Sequence, residues 1–151
     1  MNNWIAGLSE TELKYMAPAL FIYEDDPEDA AIFMYQEGLS KPMAAAGDKD
    51  IFIARAKLEK ESRPPKSYWE QVKHEIFTLI CTGDSKYDQL RKSLEEVSEQ
   101  GTKVIVATVA ASVASIMGVE AGIISGFCAV VLHFIIKVGK ESYCALKQQS
   151  T

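Results

Sequence analysis

The sequence predicts an all-α fold, a compact bundle of about five to seven helices around a C-terminal apolar helical hairpin. Three observations carry that expectation. Apolar residues recur at helical spacing over most of the chain beyond residue 66. Ser, Asp, Pro and Gly stand where helices start and stop. Residues 104–137 form one long apolar stretch with glycines near its middle.

The totals suit such a bundle. A chain of 151 residues, 48% apolar and 25% charged, has the size and composition of one globular domain. Its net charge of −5 is uneven: residues 1–50 carry ten acids against three bases, and residues 51–151 carry thirteen bases against eleven acids. Phosphate contacts need clustered Lys and Arg, so no nucleic-acid partner is expected. The one basic-leaning run, Arg55, Lys57, Lys60, Arg63 and Lys66, is broken by Glu59 and Glu61 and reads as a solvated face. An acidic, more irregular subregion, 1–63, precedes a helical bundle, 67–148, within what reads as one domain.

The elements follow in order. Ser9 with Glu12 fits a capping box, and Leu13, Met16, Ala17 and Leu20 fall at helical spacing behind it. Pro18 ends or kinks that helix near Ala17. Asp26 is a plausible N-cap, with Pro27 in the first helical position and acids in the first turn, and Gly38 is the expected stop. Residues 40–48 read as a loop. Residues 50–62 read as helix, although Ile51, Phe52, Ile53 and Ala54 also suit a short strand. Pro64 and Pro65 break the chain. Ser67 with Glu70 makes a second capping box, ahead of a stripe of Trp69, Val72, Ile76, Leu79 and Ile80. His74 falls opposite that stripe beside Gln71, Glu75 and Thr78, an exposed position. Gly83 and Asp84 separate this helix from the next, where Tyr87, Leu90, Leu94 and Val97 recur in steps of three and four, as a two-helix seam requires. Gly101 closes it.

Between Val104 and Ile136 only Glu120 and His133 can carry charge near neutral pH. Gly118, Glu120 and Gly122 divide the stretch into two arms of about 14–17 residues, each about 21–26 Å long as helix. That is shorter than the hydrocarbon core of a bilayer, about 30 Å. Ala107, Ala111, Ala114 and Gly118 share one face of the first arm. Gly122, Gly126, Ala129 and His133 share one face of the second. Small faces of this kind predict close contact between the arms, with Val106, Val109, Val113, Ile116, Ile123, Phe127, Val130, Val131 and Phe134 turned outward. Those outward faces need a cover, whether helices 67–100, a partner or a membrane.

The hairpin resembles, in architecture and over residues 104–137, the pore-forming domains of colicins. Those domains hold a hydrophobic hairpin inside a shell of amphipathic helices and release it into a membrane. The resemblance implies a membrane-active, toxin-like role. His133, if buried and neutral, adds an acid-sensitive element, because protonation would place a charge in the core.

Catalytic chemistry has no motif here. The chain lacks a Walker loop, GxGxxG, HExxH and GxSxG. The run Glu24, Asp25, Asp26, Glu28 and Asp29 lacks the spacing and glycine of a Ca²⁺ loop and reads as a capped helix start. Cys81, Cys128 and Cys144 have no paired spacing; Cys81 and Cys128 fall in apolar runs and read as small core residues. With no secretory signal evident, a reducing cytoplasm is expected, with membrane association as the variant the hairpin allows. No enzyme activity, cofactor, metal or small-molecule substrate is expected. The expected function is an interaction or assembly module that binds itself or a larger protein through apolar helix faces, with Tyr87, Leu90, Leu94 and Val97 as the candidate partner face. The alternative is a membrane-active effector, of the kind found in toxins or phage defence, that inserts hairpin 104–137.

Overall fold

The computed structural model describes residues 3–24, 26–37 and 65–149. Among these the chain is all-α, with no strand: α1 Glu10–Met16, α2 Pro27–Glu37, α3 Lys66–Cys81, α4 Asp88–Val97, α5 Thr102–Met117, α6 Ala121–Val138 and α7 Lys140–Gln149. Short 3-10 helices at Asn3–Gly7, Pro18–Phe21 and Ser85–Tyr87 connect them.

Local chemistry sets most of the boundaries. Ser9 Oγ accepts from Glu12 N, and Asp26 Oδ1 accepts from Glu28 N at 3.0 Å and Asp29 N at 3.1 Å, so both expected N-caps form. Pro18 has no N–H to continue α1, and the chain re-forms as a 3-10 helix from that residue. The cap expected at Ser67 is not used: α3 begins at Lys66, and Pro65 stands at its N-cap with extended backbone and no side-chain bond. Asp84 does not open α4 but caps the 3-10 helix before it, accepting from Lys86 N at 3.0 Å. Arg91 closes α3 from outside. Its guanidinium donates to the carbonyls of Thr78, Leu79 and Thr82, groups that a helix end leaves without partners. Gly118 ends α5 in the left-handed region, φ 76°, which gives the turn of the hairpin a conformation that side chains disfavour.

The hairpin is α5 and α6, and α6 is the axis of the molecule. It packs against α1, α2, α3, α5 and α7, so it is apolar around nearly its whole circumference. Trp4, Leu13, Met34, Trp69, Leu94, Val109 and Phe127 belong to one continuous core, which unites the N-terminal layer with the bundle. Each large apolar side chain buried there contributes about 1.5–3 kcal/mol before entropy is counted. The Trp69 and Phe127 rings meet at 5.4 Å, and Trp69 Nε1 donates to Glu28 of α2, a carboxylate also held by Lys73 at 3.0 Å.

Three further expectations change. Ala107, Ala111 and Gly118 of α5 and Gly122 of α6 are exposed, whereas Ala114, Gly126, Ala129 and His133 are buried. The arms therefore do not meet along two small-residue faces. On α5 the bulky Val106, Val109 and Val113 point inward instead, since burying valine removes more apolar surface from water than burying alanine. A Cβ placed on Gly122 would meet nothing, so no close backbone approach depends on that glycine. Glu75 and Thr78 are buried rather than on an exposed face with His74. Glu75 accepts from Tyr87 Oη at 2.7 Å and pairs with Lys86 at 2.9 Å, which compensates its burial. Finally, Cys81 is not a lone core thiol. It is disulfide-bonded to Cys144 across Cα atoms 5.6 Å apart and ties the end of α3 to α7, while Cys128 is a buried free thiol as expected. The readings at Gly38, the 40–48 loop, residues 50–62 and the basic run Arg55 to Arg63 lie outside the described residues.

Candidate functional site

Two sets of residues stand out once the core is accounted for. The first is a cluster of charge against the C-terminal half of α6. Glu10 and Lys14 lie one turn apart on α1, and His133 and Lys137 lie one turn apart on α6. The break at Pro18 turns the chain so that Leu20 enters the core and Glu24 returns to the same place. Lys137 Nζ is then 3.2 Å from Glu10 and 3.4 Å from Glu24, and Lys14 Nζ is 3.0 Å from Glu24 and 3.8 Å from Glu10. The lysines hold both carboxyls below their usual range, Lys137 chiefly at Glu10 and Lys14 chiefly at Glu24. The same pairing raises Lys137.

His133 sits beneath this network, 1% exposed. Its Nε2 is 3.5 Å from Glu10 Oε1 but makes no hydrogen bond with any described residue. An unsatisfied buried polar atom costs about 1–3 kcal/mol. Burial pushes the imidazole below its ordinary pKa, Glu10 opposes that shift, and Lys137 and Lys14 reinforce it. A cleft of about 260 Å³ opens beside the ring, lined by Leu20, Glu24, Pro27, Val130, His133, Phe134, Lys137 and Val138. With two acids answering two lysines, the arrangement neither concentrates charge nor gathers three metal-binding side chains. No group of that kind occurs among the described residues. What it offers is a small recess of mixed polarity, with Glu24 and Lys137 beside the hydrocarbon of Leu20, Val130 and Phe134.

The second set is an exposed apolar cluster on α1 and the 3-10 helix after it. Tyr15 is 45% exposed, Phe21 49% and Ile22 53%, and the rings of Tyr15 and Phe21 meet edge to face at 5.5 Å. These are among the few large apolar side chains that the described fold leaves in water.

The face expected to receive a partner is elsewhere. Tyr87, Leu90 and Leu94 are buried and Val97 is half-buried, because α4 lies on α5 and spends its apolar stripe there. That seam is core. Of the residues expected to pack the hairpin arms together, His133 alone joins the charged cluster. Sequence reasoning reached His133 through its isolation in an apolar run, but it missed Glu10, Lys14, Glu24 and Lys137. Their i, i+4 spacings were visible, whereas the pairing of α1 with α6 is tertiary. No family model, curated protein or solved structure matches the chain.

Proposed function

We propose that the chain is a non-catalytic helical interaction module that docks a partner protein through the exposed apolar cluster of Tyr15, Phe21 and Ile22. The observation that carries this reading is the contrast in exposure. Val109, Val113, Phe127 and Val131 are all covered within one chain, and Ile116 alone of the hairpin's large apolar residues is exposed, yet two aromatic rings and an isoleucine stay in water together before α2. Aromatic side chains in such a cluster anchor interfaces, since they bury large areas at little entropic cost. Asp26 and Asp29 at the start of α2 follow in the chain, so the partner surface that fits is an apolar groove with a basic rim. The test is copurification from the cell that makes the protein, comparing the native chain with Phe21→Asp/Ile22→Asp. One stoichiometric partner, present with the native chain and lost with the double variant, supports the proposal. A monomer on light scattering whose copurifying proteins are unchanged by the double variant refutes it.

One observation favours a second reading, insertion of the hairpin into a membrane. The helix α6 is long and apolar enough to cross a bilayer, at 18 residues or about 27 Å. Just over half of it, 56%, is buried within the fold, as befits the axis of a soluble bundle. Carbonate-resistant retention on membranes, with leakage of anionic vesicles by the purified chain, would favour insertion over docking.

A further inference from the structure

We propose that the Cys81–Cys144 disulfide is a redox latch, whose reduction by a dithiol lets helix α7 leave the bundle and uncovers the aromatic face of Phe77 and Phe134. The proposal is independent of the docking surface on α1.

Three features of the last helix define the latch. Its attachment is the first. Helix α7 has ten residues and packs against α3 and α6. An isolated helix of that length is marginal in water, so α7 keeps its place through what it touches. Lys140, Glu141, Ser142 and Ala145 are exposed, and Tyr143 alone among its described side chains is fully buried, between the rings of Phe77 on α3 and Phe134 on α6. A built-in cost is the second. Tyr143 Oη is buried with no hydrogen-bond partner among the described residues, so docking of α7 strips this hydroxyl of water without replacing the bond. The hinge is the third. Gly139 joins α6 to α7 with φ 89°, and a Cβ there would meet nothing, so the joint stands clear of the packed core.

The bridge sits where it decides this balance, since it fixes Cys144, the residue after Tyr143, to the last residue of α3. Both cysteines are half-buried, whereas Cys128 is enclosed in the core and takes no part in exchange. The chemistry is thiol–disulfide exchange. A thiolate of the dithiol attacks one sulfur of the bridge and displaces the other; the second thiol of the reductant then attacks the mixed disulfide and frees the remaining cysteine. Two electrons pass to the bridge, the two protons of the dithiol end on Cys81 and Cys144, and the reductant becomes a disulfide. With the tie gone, α7 opens on its hinge, and the polar cover of Lys140, Glu141 and Ser142 gives way to an aromatic surface.

The experiment is hydrogen exchange of the native chain in the absence of denaturant, oxidised and after dithiothreitol, read by mass spectrometry on peptides of α6 and α7. Reduction is expected to speed exchange in α7 by about ten-fold or more while α6 keeps its protection. Cys81→Ser without reductant is expected to match the reduced native chain. Tyr143→Phe keeps the ring and removes the orphaned hydroxyl, so its reduced form should exchange in α7 about ten-fold more slowly than the reduced native chain, the ratio set by one unmet hydrogen bond. Dithiothreitol acts on the native chain itself, so the first comparison needs no variant to fold. Equal exchange of α7 in both redox states, equal loss of protection in α6 and α7, a Cys81→Ser chain that matches the oxidised protein, or a reduced Tyr143→Phe chain that opens as readily as the native one would each overturn the proposal.

Discussion

His133 couples the fold to protons near neutral pH. Because burial lowers its folded pKa beneath the free value of about 6.5, the unfolded chain takes the proton more readily than the folded one. Its contribution is therefore complete above about pH 6.5 and lost as pH falls through that value towards the folded pKa. Glu10 and Glu24 act in the same sense at lower pH. Their folded pKa values are depressed, so what they contribute is present above the free carboxylate value of about 4.3 and disappears as pH falls further. Asp29, raised chiefly by Asp26, works in the opposite sense. Calorimetric melting temperature should accordingly drop between about pH 7 and pH 5, and drop again below about pH 4.5. In His133→Gln the first decline should flatten and the second persist; two identical profiles would remove His133 from the account. Arg91 supports a different expectation. Its guanidinium serves three carbonyls at the end of α3 and also Asp84 O and Asp88, bonds that methionine cannot make. Chemical denaturation of Arg91→Met should report a loss of about 1–3 kcal/mol. A loss below about 0.5 kcal/mol would mean that water replaces the cap.

Helices and their ends were largely legible, since caps, proline breaks and glycine stops are local chemistry. Ser9, Pro18, Asp26 and Gly118 each act where the sequence placed them. Which face of a helix turns inward was less legible. In α5 valine and alanine occur around the whole circumference, so helical periodicity marked no single face, and only the neighbours α1, α3, α4 and α6 choose between them. In α4 charged residues fill the other face, and there the stripe was read correctly although its destination was not. Two glycines of the hairpin turn test the revised packing. Gly118 has positive φ, so Gly118→Ala should cost about 1 kcal/mol despite open space around it. Gly122 lies in the first turn of α6 with nothing near a new Cβ, so Gly122→Ala should be neutral or stabilise by about 0.5 kcal/mol. Urea midpoints of the two variants should move in opposite directions or leave Gly122→Ala unmoved. Destabilisation by Gly122→Ala above about 1 kcal/mol would restore the close helix contact that the exposed glycine argues against.

At the scale of the molecule, what the sequence could not disclose are the links between distant segments: Glu10 with Lys137, Ser9 N with Thr102 Oγ1, and above all Cys81 with Cys144. No spacing rule joins cysteines 63 residues apart; the helices must pack before the sulfurs can meet. That bridge fastens the last helix. Among the described side chains of α7, Tyr143 anchors it as well, buried between Phe77 and Phe134. Closing so long a loop removes freedom from the unfolded chain, worth about 4 kcal/mol in the chain-entropy account. For a domain whose whole stability is of the order of 5–15 kcal/mol, that is a large share. Dithiothreitol, or Cys81→Ser, should therefore lower the denaturation midpoint by the equivalent of about 4 kcal/mol while far-ultraviolet dichroism keeps its helical form. Thiol counting makes the result specific. In denaturant without reductant the native chain should yield one thiol, that of Cys128, and three after reduction. In the folded protein Cys128 should react slowly, because burial pushes its thiol up to about 12. The decisive comparison is Cys81→Ser with and without reductant. The variant has already lost the bridge, so dithiothreitol should leave its midpoint where it was. If the native midpoint is equally indifferent, α7 is held by Tyr143 and its aromatic neighbours alone.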